Sequence, residues 1–142
     1  MEQILKEKNI FINCKGEDKE AIIRKIGEIF YREGCTTEKY TSAMLEKESL
    51  MNTYIGNFIA IPHGVETARK EVLKSCIVVM IFPEGIDWNG ETAKIVIGIA
   101  GTGNDHINIL SNIACVLSDE EAVSRVIESD RAAIMEIFSC ND

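Results

Sequence analysis

The sequence has 142 residues, 46% of them hydrophobic, and a formal net charge of −8. That length suits one domain, residues 1–142, which would bury roughly 68–70% of its unfolded surface with no disulfide or structural metal. Acidic charge spread along the chain excludes a phosphate backbone as partner, and the longest apolar stretch, Cys76 to Phe82, is far short of the roughly 20 residues that cross a bilayer.

Ile10 to Cys14 read as a short strand. Ile22, Ile26, Ile29 and Phe30 then recur at helical spacing until Gly34 supplies a stop. A second helix, capped by Thr36 or Thr37, is predicted through about Leu50, with Tyr40, Met44 and Leu45 as buried positions. Gly56 and Asn57 break that pattern, and the run Phe58 to Ile61 reads as a buried strand that ends at Pro62, His63 and Gly64. A short helical segment is expected over Glu66 to Leu73.

Cys76 to Phe82 and Ile95 to Ala100 are continuously apolar, the pattern of central strands buried on both faces, with turns at Pro83-Glu84-Gly85 and Asn89-Gly90 between them. After Gly101-Thr102-Gly103, Asn104 or Asp105 can cap a helix whose buried face is read as Ile107, Leu110, Ala114 and Leu117. Two further helices follow, one carrying Ala122, Val123, Val126 and Ile127, the other Ile134, Ile137 and Phe138. The predicted fold is an α/β three-layer sandwich, a mixed central β-sheet flanked by helices on both faces. In such folds ligand sites gather where loops leave the strand ends.

Five cysteines, Cys14, Cys35, Cys76, Cys115 and Cys140, are widely spaced and form no Cys-x-x-Cys pair, so neither a disulfide framework nor a zinc site is expected, and most read as small buried hydrophobes. With no basic-then-apolar leader, the expectation is a soluble cytoplasmic protein without membrane insertion. Trp88, in a polar turn, reads either as part of a docking surface or as a local packing residue.

The chain has only two histidines, His63 and His106, each at an element boundary. Imidazole, with an ordinary pKa of about 6.5, is largely uncharged and nucleophilic near neutral pH without help from a metal. It can therefore accept a phosphoryl group and release it again. Such transfer asks the protein mainly for positioning and for donors that meet charge on the equatorial oxygens. His106, at the amino end of a helix whose free N–H groups and dipole favour an anion, suits the supporting role. Asp105 is assigned to capping, because its charge is unfavourable beside a phosphoryl group.

Asn57-Phe58-Ile59-Ala60-Ile61-Pro62-His63-Gly64 resembles the segment around the phosphorylated histidine in the mannitol/fructose class of enzyme IIA, a component of the bacterial phosphoenolpyruvate-dependent sugar phosphotransferase system. Phe82-Pro83-Glu84-Gly85-Ile86 resembles the Pro-Glu-Gly turn of its mannitol branch, and Ile97 to Ala100 followed by Asn104-Asp105-His106-Ile107 resembles its second-histidine segment. The resemblance runs in order over nearly the whole chain. It implies that His63 takes a phosphoryl group from the histidine-containing phosphocarrier protein and passes it to a cysteine of enzyme IIB, for uptake of mannitol or a related sugar. It further implies that His106 helps to hold the phosphoryl group, that Asn57 matches a supporting polar position, and that no cofactor or metal is needed.

One departure stands at Lys47, where the mannitol proteins have arginine: lysine keeps the charge but loses the planar fork that suits phosphate oxygens. Lys47 is thus either a phosphate-facing cation or a solvated lysine beside Glu46 and Glu48, and Arg69 is a further cation that the sequence does not place. Phe58 and Ile55 are candidate apolar members of a partner-docking rim. Two other classes of function compete. One is a regulatory module of the same fold, like the nitrogen-related enzyme IIA proteins; the other is a metal-dependent hydrolase using both histidines with Asp105 or Glu66.

Overall fold

Successive side chains along a strand point to opposite faces of its sheet, so a continuously apolar strand must serve two cores. Cys76, Val78, Met80 and Phe82 enter one core and Ile77, Val79 and Ile81 the other. The computed structural model describes residues 4–139. Its strands are β1 (Leu5–Phe11), β2 (Tyr54–Gly56), β3 (Ile59–Ala60), β4 (Cys76–Trp88) and β5 (Glu91–Ala100). They form one mixed sheet in the order β1-β4-β5-β3-β2, with β1–β4 and β3–β5 parallel and the other two pairings antiparallel.

Helices α1 (Lys19–Arg32) and α2 (Lys39–Leu50) supply one core, packing Ile22, Ile26, Phe30, Tyr40 and Met44 against the sheet. On the opposite face α3 (Asp105–Val116), α4 (Glu120–Glu128) and α5 (Arg131–Ser139) contribute Ile109, Ile113, Val123, Val126, Ile134 and Phe138. The sandwich read from the sequence is therefore the architecture observed. Asp18 starts α1 by accepting from the Ala21 N–H at 2.7 Å, and Gly34, at φ 75°, takes the left-handed conformation that ends it. A 3-10 helix, Glu66–Glu71, occupies the segment between β3 and β4.

Several local readings need correction. The first strand begins at Leu5, not Ile10, because an edge strand can carry exposed Lys6, Glu7 and Lys8 and so hides from a search for apolar runs. Pro83-Glu84-Gly85 is no turn between strands: β4 continues through it with a register shift between Ile81 and Ile86, and only Asn89-Gly90 turns the hairpin. Trp88 is consequently fully buried, which removes it from any docking surface. Glu48 is also buried; its carboxylate accepts from Trp88 Nε1 (3.0 Å), the Thr53 hydroxyl (2.7 Å) and the Thr53 N–H (3.0 Å), with Lys19 3.7 Å away.

Helix α2 starts after Glu38, whose side chain makes no cap bond; the Thr37 hydroxyl accepts from the Lys39 N–H at 3.3 Å, as a capping residue does, and donates to Glu71 at 2.6 Å. Of the expected α3 stripe, Leu117 is buried and Leu110 packs half-buried against the same core, but the main buried face runs through Ile109, Ile113 and Val116 and leaves Ile107 60% exposed and Ala114 and Cys115 exposed as well. Cys35 and Cys76 are buried and Cys14 is half-buried, whereas Cys140 lies outside the described residues. Among the described residues, no helix is long and apolar enough to cross a membrane.

Candidate functional site

Because β3 and β5 run parallel, their carboxyl ends lie side by side, and the chain leaving each end carries one of the two histidines. The segment after β3 is tied down residue by residue. Ile61 N–H donates to Thr53 O (3.0 Å), Ile99 N–H to Pro62 O (3.0 Å), Gly64 N–H to the Tyr40 hydroxyl (2.9 Å) and Val65 N–H to Ala43 O (3.3 Å). The Tyr40 hydroxyl in turn donates to Ile99 O at 3.1 Å, so one buried group links the residue after His63 to the neighbouring strand. Gly64 has to be glycine here: a Cβ would meet the Tyr40 ring at 2.6 Å.

His106 comes from the other side, in the first turn of α3. Thr102 N–H donates to Ser75 Oγ (3.0 Å), and the Ser75 hydroxyl donates to Asp105 Oδ2 (2.6 Å), which fixes the loop that starts the helix. Asp105 is thus not the cap assigned to it, since Ser75 engages its carboxylate; Asn104 holds the cap position in helical dihedrals with no side-chain cap bond. Gly101 lies against this turn so closely that a Cβ would come within 2.8 Å of His106 Cα.

The two imidazole rings face each other with centroids 5.3 Å apart and planes at 59°. His63 Nδ1 lies 2.7 Å from Ile61 O. A carbonyl oxygen only accepts, so Nδ1 carries the proton, and a neutral ring then keeps its lone pair on Nε2. Burial holds the His63 pKa below the ordinary 6.5; Lys47 adds to that depression, while the Ile61 carbonyl and Glu48 oppose it. His106 is depressed too, by burial first and then by His63, Arg69 and Lys47, against Glu66. Both shifts favour the uncharged ring at neutral pH.

Around them lies a cleft of about 190 Å³ lined by Tyr40, Lys47, Gly64, Glu66, Arg69 and Gly101 as well as both histidines. That is smaller than the roughly 300–1,000 Å³ of pockets that enclose drug-sized ligands, and it suits a small anion. Lys47, in the last turn of α2, faces this cleft. Arg69, on the 3-10 helix, does so as well.

Asn57 does not reach the cleft. It sits in the turn at the other end of β3, at φ 51°, and lines a separate hollow with Tyr54, Phe58 and Lys94. Phe58, with the Lys94 ammonium 4.9 Å from its ring centroid, and exposed Ile55 belong to that end of the hairpin. The exposed apolar side chain nearest in sequence to the site is Ile107, directly after His106. Sequence reasoning missed the Tyr40 strut and the Ser75 bridge, both long-range contacts for which a single sequence carries no local signal. Among the described residues no three His, Cys, Asp or Glu side chains are grouped to hold a metal ion, so the metal-hydrolase reading has no ligand set.

Residues 3–140 match the family model described as the phosphoenolpyruvate-dependent sugar phosphotransferase system, EIIA 2. The mannitol-specific phosphotransferase enzyme IIA component of Bacillus subtilis (strain 168) is 46% identical over 128 residues, 89% of this chain and 90% of that protein. Among solved structures, a chain from the complex of enzyme IIAMTL and phosphorylated enzyme IIBMTL of Escherichia coli superposes with a TM-score of 0.88 at 34% identity, covering 96% of this chain and 99% of that one. The crystal structure of IIA mannitol from Escherichia coli gives a TM-score of 0.85 at 35% identity over 94% and 97% of the two chains.

Proposed function

This chain belongs to the EIIA 2 family of the phosphoenolpyruvate-dependent sugar phosphotransferase system, and from that premise we propose that it is a cytoplasmic mannitol-type phosphoryl carrier in which His63 Nε2 holds the phosphoryl group. The observation that carries the assignment is the Nδ1–H bond to Ile61 O beside the ring of His106. It leaves Nε2 as the nitrogen with a free lone pair.

In the forward step the Nε2 lone pair attacks phosphorus on the phosphohistidine of the histidine-containing phosphocarrier protein. The Nε2–P bond forms as the donor's N–P bond breaks, and that electron pair stays on the donor imidazole. Nδ1 keeps its proton on Ile61 O throughout, so no proton has to leave the cleft. In the return step a thiolate of enzyme IIB attacks phosphorus and the N–P pair goes back to Nε2. His106 and Lys47 meet the charge on the equatorial oxygens.

Mannitol specificity is inferred from the relatives' names, and enzyme IIB as acceptor from the Escherichia coli complex. No observation favours the regulatory alternative. Ile107, beside His106, replaces Phe58 and Ile55 as the apolar contact offered to a docking partner. Asn57 has no role at the cleft in this reading.

Intact-mass spectrometry at mildly alkaline pH, after incubation with phosphoenolpyruvate, enzyme I and the phosphocarrier protein, tests the assignment. One acid-labile phosphoryl group is expected on the wild type and on His106→Gln at reduced rate, and none on His63→Gln. A phosphoryl group retained by His63→Gln would overturn it.

A further inference from the structure

The proposed phosphoryl group brings two negative charges into a cleft whose cations are Lys47 and Arg69. Position 47 has the charge without the two-pronged geometry that suits phosphate oxygens. Arg69 has both. Its backbone is anchored because Ala68 before it and Val72 three residues after it are buried, and Val72 N–H donates to Arg69 O at 3.0 Å, while its own side chain is exposed. Among the described residues, nothing hydrogen-bonds to the guanidinium or pairs with it.

Arg69 and Lys47 stand on different elements, the 3-10 helix and the end of α2. Their weights at the two rings differ. Lys47 is the cation that bears on His63, whereas at His106 the effect of Arg69 exceeds that of Lys47.

We propose that Arg69 is a second catalytic cation of the site, its guanidinium binding the equatorial phosphoryl oxygens from the His106 side while Lys47 binds them from the His63 side. The assignment rests on the phosphoryl-carrier reading of His63. It makes the fork missing at position 47 available from a different element. Glu66, three residues before Arg69 and lining the same cleft, is the one carboxylate among the lining residues. Its negative charge opposes an incoming phosphoryl group, and a second cation beside Lys47 offsets that repulsion.

Phosphoramidate tests this without a partner protein, since it donates directly: its N–P bond breaks, the electron pair leaving with ammonia, as the Nε2–P bond forms. The wild type, Arg69→Gln, Arg69→Lys, Lys47→Gln and His63→Gln are compared by single-turnover mass spectrometry, with the His106 pKa followed by NMR. Arg69→Gln is expected to gain the phosphoryl group roughly tenfold more slowly, Arg69→Lys to recover part of that loss, and the His106 pKa to rise in Arg69→Gln. A wild-type rate for Arg69→Gln with phosphoramidate would overturn the proposal, even if transfer from the phosphocarrier protein slowed, because Arg69 would then serve docking alone. No phosphoryl gain on His63 in the wild type would instead remove the carrier reading, and this assignment with it.

Discussion

At His63 the position of one proton decides both reactivity and stability. The nucleophile is the neutral ring, and burial with Lys47 nearby makes the ring shed its second proton below the ordinary 6.5. The rate of phosphoryl gain is therefore expected to rise with pH through a midpoint below 6.5, which moves upward in Lys47→Gln; an NMR titration of the His63 ring reads the same shift. Linkage gives the sign for folding. With a folded pKa below the unfolded one, the unfolded chain binds the proton first, so the contribution is complete above 6.5 and is lost as pH falls through the folded value. Urea midpoints of the wild type should fall more between pH 7.5 and 5.5 than those of the His63→Gln/His106→Gln double variant. Tyr40 invites a second test at this scale. Tyr40→Phe keeps the ring but strands the Gly64 N–H and Ile99 O that its hydroxyl joins. A loss of about 1–3 kcal/mol in urea unfolding is expected, together with slower phosphoryl gain because the residue after His63 is no longer held.

Each histidine is delivered by a whole element, and α3 depends on how closely its first turn lies against the end of β5. Gly101→Ala puts a methyl group within 2.8 Å of His106 Cα, against backbone that cannot swing aside. Overpacking of this kind costs about 1–3 kcal/mol. The variant is expected to lose thermal stability and to show a displaced His106 ring resonance while that of His63 stays in place; an unchanged His106 signal would mean that the loop absorbs the methyl group. Elements of this kind were readable from the sequence where one local property sufficed. The apolar runs of β4 and β5 announced central strands, the isoleucine spacing of α1 announced a helix, and Pro62-His63-Gly64 announced a strand end. What stayed hidden depended on partners remote in sequence. Nothing local marks Glu48 as the buried acid that Trp88, Thr53 and Lys19 surround, and Asp105 reads as a cap until Ser75 engages its carboxylate. The α3 face is only partly legible because Ile107, Ile109, Leu110 and Ile113 allow two stripes, and only packing against the sheet chooses between them. For the same reason Lys47 and Arg69 were two unplaced cations in the sequence and two walls of one cleft in the fold.

Across the whole molecule the sheet separates two cores that share no helix, yet β4 and β5 belong to both. Ile95, Ile97 and Ile99 face the core of α3, α4 and α5, while Val96 and Ala100, between and beyond them, face that of α1 and α2. Loss of one core removes the support of every alternate residue in the strands that hold the other, so the two should unfold together. Trp88 makes this measurable, because it is fully buried in the α1 and α2 core and is the only tryptophan in the chain. Ile97→Ala deletes buried methyl groups on the opposite face and should cost about 2–5 kcal/mol. If the cores are one cooperative unit, Trp88 fluorescence and far-ultraviolet circular dichroism will give the same lowered urea midpoint in Ile97→Ala. A Trp88 transition left at its wild-type position would mean that the layer carrying Lys47 and Tyr40 can stand after the layer carrying His106 has melted. The cleft, which takes Lys47 and Tyr40 from one layer and His106 from the other, would then open before the protein as a whole unfolds.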